Sequence, residues 1–263
     1  LKRQEVLENM LIVVAADNGR PFPRCKARLF DSGIKTPWVV HYPPLVQTPS
    51  VSQSLISVID LSATCLELAG VEPPACIQGQ SFVPILKDPH VRIRDMVFSE
   101  QNWHVYRNHS RMVRFGDFVY IVNNFPNQPN LSYESDNHYP AGEELWLAHA
   151  AGRTTAVQQQ VFANPCPEEE LYQISTDPDQ LINLATGLAH GEYLERGRRL
   201  IARWTEQTGD TIPANPSGHR HAPPQIVDGV IVPPAKGKKR SGGGEFPGAA
   251  KGASRMNHPG PLR

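Results

Sequence analysis

The sequence predicts an α/β domain followed by a smaller α+β subdomain with an antiparallel sheet, on three observations. The run LIVVA from Leu11 to Ala15 is continuously apolar, rich in Val and Ile, and too short for a helix. Such a run suits a strand covered on both faces, as in a parallel sheet. Strand and helix patterns then alternate as far as Pro89. Beyond it the chain breaks into short apolar segments separated by turn residues, which is the habit of an antiparallel sheet.

The opening LKRQEVLENM reads as the end of a helix feeding the first strand, and the chain begins without Met, so the expectation is of a piece whose N-terminal part lies elsewhere. PWVVHYP, Pro37 to Pro43, is a second buried-strand candidate fenced by prolines that cannot donate to a ladder. From Ser54 to Ala69 the apolar residues fall almost all round a helix, with Gly70 placed to cap its end. DMVFSE, RMVRFG, FVYIVNN and ELYQIS supply the strands of the subdomain. NNFPNQPNLSYESDNHY between Asn123 and Tyr139 is loop by composition, and Glu143 to Gly152 a short helix. Tyr193, Gly197, Leu200, Ile201 and Trp204 share one helical face, which predicts an amphipathic closing helix. Past Ile212 the chain is rich in Gly, Pro and Lys and holds little to bury, which predicts disorder. The expected boundaries are 1–89 for the α/β part, 90–212 for the subdomain and 213–263 for the tail.

Composition narrows the function. With 26 Lys plus Arg against 26 Asp plus Glu, no net field draws the chain to nucleic acid or an acidic membrane surface, so a charged substrate must be met locally. No apolar run is long enough to span a membrane. The four cysteines, Cys25, Cys65, Cys76 and Cys166, form no C-x-x-C pair. At the end of LIVVA stand Asp17 and Asn18, where ligands gather in open α/β sheets. A carboxylate beside an amide oxygen suits a hard cation such as calcium or magnesium, although D-N-G is also an ordinary turn. Arg20, Arg24, Lys26 and Arg28 follow in a proline-stiffened loop and would suit an anionic group, or simply a solvated face.

NMLIVVAADNGRPFPRCKARLFDSGIKTPWVVHYP resembles the sulfatase family of the alkaline-phosphatase-like superfamily. Its D-N-G-x-P-F-P-x-x-K/R form is most like the heparan N-sulfatase (sulfamidase-like) branch. The likeness continues through VSQSLISVIDLSATCLELAGVEPP, GQSFVPIL, FSEQNWHVYRNHSRMVR and EELYQISTDPDQLINLA, and covers Leu1 to about Gly209.

The resemblance implies the C-terminal part of an alkaline-phosphatase-like α/β sandwich and a calcium-dependent hydrolase of sulfate esters or sulfamates on a glycan such as a heparan-type saccharide. It implies Asp17 and Asn18 as Ca2+ ligands, with the others upstream. Lys26 falls where the family places a cation on a sulfate oxygen, and His104, in EQNWH, where a residue faces the substrate from the opposite wall. His109 is a further substrate-facing candidate. It also implies export to a periplasmic or extracellular space. One departure stands out: the family nucleophile is a formylglycine made from a C/S-x-P/A-x-R motif, and none of the four cysteines sits in one. The nucleophile is therefore expected upstream, and the chain alone is expected to be inactive. The rival readings are a catalytically incomplete fragment or pseudo-enzyme, and a phosphodiesterase or phosphonate hydrolase with a similar metal site.

Overall fold

The computed structural model describes residues 1–127, 130–222, 224–228 and 230–233 of the 263. The chain starts with two 3-10 turns, Lys2–Gln4 and Leu7–Asn9, rather than the end of an α-helix. Strand β1 (Ile12–Ala15) then pairs with β2 (Trp38–His41), setting Ile12 opposite His41 and Ala15 opposite Trp38. The pairing is antiparallel, which corrects the expectation of a parallel sheet. Nor are these strands covered on both faces. Val14 and Val39 are direct partners, and they are 60% and 61% exposed. A ribbon of two strands has one partner per strand and can cover only what neighbouring segments reach; Trp38 meets Phe82 edge-on at 6.1 Å.

Between these strands lies the single turn α1 (Asp31–Ile34). Gly19 donates to the Gly33 carbonyl at 2.8 Å, and a Cβ on Gly19 would run into the Ser32 carbonyl oxygen. Gly19 is therefore fixed by close backbone approach rather than by a left-handed turn. The next helix, α2 (Asp60–Leu68), starts six residues later than the apolar pattern predicts. The cause is Asp60. Its fully buried carboxylate accepts the Ser57 amide at 2.7 Å and the Gln80 amide at 2.8 Å, and it pairs with Arg94. Those bonds fix the helix start and hold Ser57 outside it. Gly70 closes the helix at φ 69° as expected, and the short α3 (Val83–Lys87) packs nearby with Pro84 in its first turn.

The predicted antiparallel strands form one sheet in the order β3 (Met96–Trp103), β4 (Arg107–Phe115), β5 (Phe118–Asn123) and β6 (Glu169–Gln173). Its period of two gives it two buried faces. On one side Val113, Phe115, Phe118, Tyr120 and Leu171 pack with Leu194 and Ile201. The other side sets Met112, Val119, Ile121 and Tyr172 against Leu29 and Phe30, just before α1.

Between β5 and β6, α4 (Pro140–Ala150) and α5 (Ala156–Gln159) enclose a satellite core of Leu131, Leu145, Trp146, Val161 and Phe162. The closing helix α6 (Gly191–Thr208) ends at Gly209, φ 71°. It lies so close to the sheet that a Cβ on Gly197 would enter the Tyr120 ring. Tyr193 stacks on Phe118 at 3.9 Å and Trp204 on Phe98 at 5.8 Å. Just past α6, Asp210 takes a two-pronged bond from buried Arg111 on β4, at 2.6 and 2.7 Å.

The expectation of disorder from residue 213 does not hold for the described part of that segment. Trp103 Nε1 donates to Gly218 O at 2.9 Å, and the Arg107 amide to His219 Nδ1 at 3.1 Å. The Arg220 amide bonds Val105 O at 2.8 Å, and His221 is buried. Hydrogen bonds along the β3–β4 connection do here what apolar burial does elsewhere. A hairpin follows, β7 (Gln225–Val227) with β8 (Val230–Val232). Residues 234–263, including GKKRSGGG, lie outside the described residues.

Candidate functional site

Asp17 and Asn18 follow the end of β1. Asp17 is exposed, and among the described residues its carboxylate makes no hydrogen bond or ion pair. Asn18 is half-buried and donates its amide to Gly19 O at 2.8 Å, which turns the amide nitrogen toward its own backbone. Consecutive carboxylate and amide oxygens fit a hard cation by donor type, but two oxygens fall short of the six to eight that calcium takes.

The loop that follows spends its cations unequally. Arg24 donates to Asp179 O at 2.9 Å and to Gln180 O, and its guanidinium lies 3.9 Å over the Phe30 ring. Buried Arg28 donates to Asn130 Oδ1, and burial pulls its pKa below the ordinary value against the opposing pull of Glu170. These two arginines tie the loop to the 177–180 turn and to Asn130, so the sequence's basic cluster is partly structural. Lys26 is spent differently. Its side chain is 34% exposed and its Nζ lies 3.8 Å from Glu134 Oε1, a carboxylate 2% exposed whose other oxygen has no partner among the described residues. Arg24 and Ala27, on either side of Lys26, hold left-handed backbone at φ 62° and 61°. Non-glycine residues stay there only when surrounding bonds over-determine them.

Ala27, next to Lys26, lines a small cleft of about 10 Å³ together with His104, Tyr106, Leu131 and Tyr133; Lys26 itself is not among its lining residues. His104 lies on the β3–β4 connection. Its ring meets Tyr133 edge-on at 6.2 Å, and its buried Nδ1 has no partner among the described residues. A buried ring nitrogen without a partner is uncommon in a folded protein and marks the position as unusual. Tyr106 donates its hydroxyl to Asp136 at 2.6 Å, and burial together with that carboxylate pushes its pKa far above the ordinary value.

The structure thus brings Ala27, the neighbour of Lys26, and His104 to one cleft, while the Lys26 ammonium lies beside Glu134. It does not bring His109 there. His109 is 2% exposed, with Nδ1 2.9 Å from the Asn124 amide and Nε2 3.0 Å from Thr211 O and 2.9 Å from Arg111. Burial first and Arg111 second lower its pKa, which favours the neutral ring, and its contact with Thr211 ties β4 to the segment after α6. Sequence reasoning passed over Tyr106, Tyr133, Glu134, Asp136, His138 and His221. The loop SYESDNHY offered a signal in its density of Tyr, Glu, Asp and His, but nothing in it pointed to the β3–β4 connection or to His221.

The mixed α/β chain with its antiparallel subdomain sheet shares its fold with solved sulfatase structures. The solved structure of BT4656 in complex with its substrate D-glucosamine-2-N,6-O-disulfate shares this fold, with a TM-score of 0.56 and 18% identity over 78% of this chain and 36% of that one. Residues 25–118 match the family model for N-sulphoglucosamine sulphohydrolase, C-terminal. An ulvan-active sulfatase of Formosa agariphila is 31% identical over 80% of this chain and 35% of its own. Human N-sulphoglucosamine sulphohydrolase is 27% identical over 83% of this chain and 46% of its own. The chain belongs to the sulfatase family, and it spans less than half the length of these relatives. Among the described residues no helix is long and apolar enough to cross a membrane.

Proposed function

We propose that the protein hydrolyses sulfate esters or sulfamates on an amino-sugar glycan, with calcium as its metal. The observation that carries the reading is the cleft between the Lys26 loop and His104, in a chain similar to enzymes named for sulfated sugars. Asp17 and Asn18 would hold the ion, which polarises a sulfate oxygen when bound. Lys26 places its ammonium on a non-bridging sulfate oxygen and stabilises the charge that grows there in the transition state. His104 faces the sugar from the wall of the cleft, and the Tyr133 ring gives the sugar an apolar surface. None of the four cysteines has the surroundings of a formylglycine precursor, so the nucleophile is assigned to a part of the protein outside these 263 residues. The same reading expects action in a calcium-rich compartment outside the cytoplasm.

The test is sulfate release from N-sulfated and 6-O-sulfated glucosamine by the full-length protein. Turnover should require calcium, and Asp17→Ala should abolish it together with calcium binding. Full activity in that variant with unchanged calcium content would remove Asp17 from the metal site.

A further inference from the structure

Behind the wall of the cleft, Asp136, His138 and His221 place one oxygen and two imidazole nitrogens within 4.8 Å of one another. Asp136 is fully buried, His221 nearly so, and His138 is about one-fifth exposed at the side chain. His138 Nδ1 bonds Asp136 Oδ1, His221 Nδ1 lies 3.3 Å from Oδ2, and the two imidazole rings are 4.9 Å apart. We propose that these three residues bind a zinc-class divalent transition ion, distinct in place and in chemistry from the calcium site at Asp17 and Asn18.

Three physical points support the assignment. The first is donor type. Two imidazoles and one carboxylate select a borderline first-row ion, whereas calcium takes oxygen ligands. The second is spacing. With metal–ligand bonds of about 2.0–2.2 Å, tetrahedral ligand atoms stand roughly 3.3 Å apart, a separation that small side-chain rotations reach from the observed cluster. Binding at Nδ1 takes each imidazole as its neutral Nε2–H tautomer, so a ring protonated at Nδ1 alone gives that proton to solvent and takes one up at Nε2, and a doubly protonated ring releases one H+. Solvent supplies the fourth ligand.

The third point is the supporting shell. Metal-bound carboxylates carry hydrogen bonds of their own, and Asp136 already accepts the Tyr106 hydroxyl at 2.6 Å and the His138 amide at 3.1 Å. His221 is delivered by a segment with no apolar reason to order. The bonds of Gly218, His219 and Arg220 to residues 103–107 hold it in place. An ion there would fasten the 218–221 segment to Tyr106 and the 133–138 loop, and so fix the wall of the cleft.

The experiment uses the full-length protein freed of metal by chelator dialysis, titrated with Zn2+ by calorimetry and with Co2+ by visible absorption, in excess calcium. The expected result is one equivalent of each ion at this site, the intense absorption of four-coordinate cobalt, and a rise in Tm on binding. His138→Gln and His221→Gln should each lose the cobalt spectrum and the zinc-dependent Tm rise. Tyr106→Phe should keep both with about 10- to 100-fold weaker affinity. If a variant fails to fold, cobalt absorption of the folded wild-type protein decides alone. The absence of a four-coordinate cobalt spectrum in the wild-type protein would overturn the proposal, as would an unchanged spectrum in folded His138→Gln and His221→Gln.

Discussion

Two antiparallel sheets in this chain begin from similar strand sequences and end in opposite surroundings. IVVA and WVVH form a ribbon whose paired Val14 and Val39 are mostly exposed, whereas Val113 and Val119 of the four-stranded sheet are fully buried. Apolar content does not separate them. What separates them is cover: α6 lies on one face of the larger sheet and Leu29 and Phe30 on the other. The difference teaches that a greasy strand is a request for partners, and that the partners decide how much each residue contributes to stability. It also shows where the candidate site draws its rigidity. The Lys26 loop runs into the residues that cover the larger sheet, while Asp17 and Asn18 hang from the ribbon.

The comparison predicts a steep hierarchy of damage. Asp210→Ala should be the most costly, at about 3–5 kcal/mol, because it leaves the buried Arg111 guanidinium with only the longer 3.7 Å carboxylate contact to half-exposed Glu100. Denaturant unfolding of the full-length protein reads this, and a loss under 1 kcal/mol would mean that water reaches Arg111. Leu171→Ala, fully buried in the core between sheet and α6, should cost about 2–5 kcal/mol in the same assay.

A smaller effect follows from His109. Its folded pKa lies below the ordinary value of about 6.5, so the unfolded chain takes up a proton that the folded chain refuses. The stability it contributes is complete above pH 6.5 and falls as pH drops through 6.5 toward the lowered folded value. Stability measured between pH 7 and 5 should decline less steeply in His109→Gln, and an equal slope in both proteins would assign the decline to other groups. The smallest effect belongs to the ribbon. Val14→Thr should change stability by no more than about 0.5 kcal/mol, and a loss near that of Leu171→Ala would show that this face is covered in the full-length protein.

Much of the fold was legible because its signal is local. The short apolar segments RMVRFG and FVYIVNN, set apart by turn residues, predicted a sheet, and the structure adds that both of its faces are covered. The spacing of Tyr193, Gly197, Ile201 and Trp204 gave α6, and Gly70 ended α2 as predicted. Pairing was not local. LIVVA carries no mark of the antiparallel partner it takes at WVVH, and Gly19 reads as a turn until Ser32 and Gly33 are set against it.

At the site, Lys26 and His104 were expected from resemblance alone, and the structure lines one cleft with His104 and with Ala27, the neighbour of Lys26. Arg24 and Arg28 read as anion-binding because their bonds to Gln180 and Asn130 join residues more than 100 positions apart. His221 was lost in a stretch of Gly, Pro and His, where low apolar content hid a segment ordered by hydrogen bonds. Composition weighs burial and is silent on such bonds.

Under the proposed function, Lys26 holds a substrate sulfate oxygen beside the cleft that Ala27 and His104 line. The most direct measurement is kcat/KM of the full-length protein for sulfated glucosamine, with Lys26→Ala and Lys26→Arg beside the unaltered enzyme. Thermal unfolding checks that loss of the contact with Glu134 has left the fold intact. A fall of about 10²- to 10³-fold is expected for the alanine variant at preserved Tm, and a smaller fall for arginine, which keeps the charge. Unchanged kcat/KM in a folded Lys26→Ala protein would contradict it and leave Lys26 as no more than the counter-charge of Glu134.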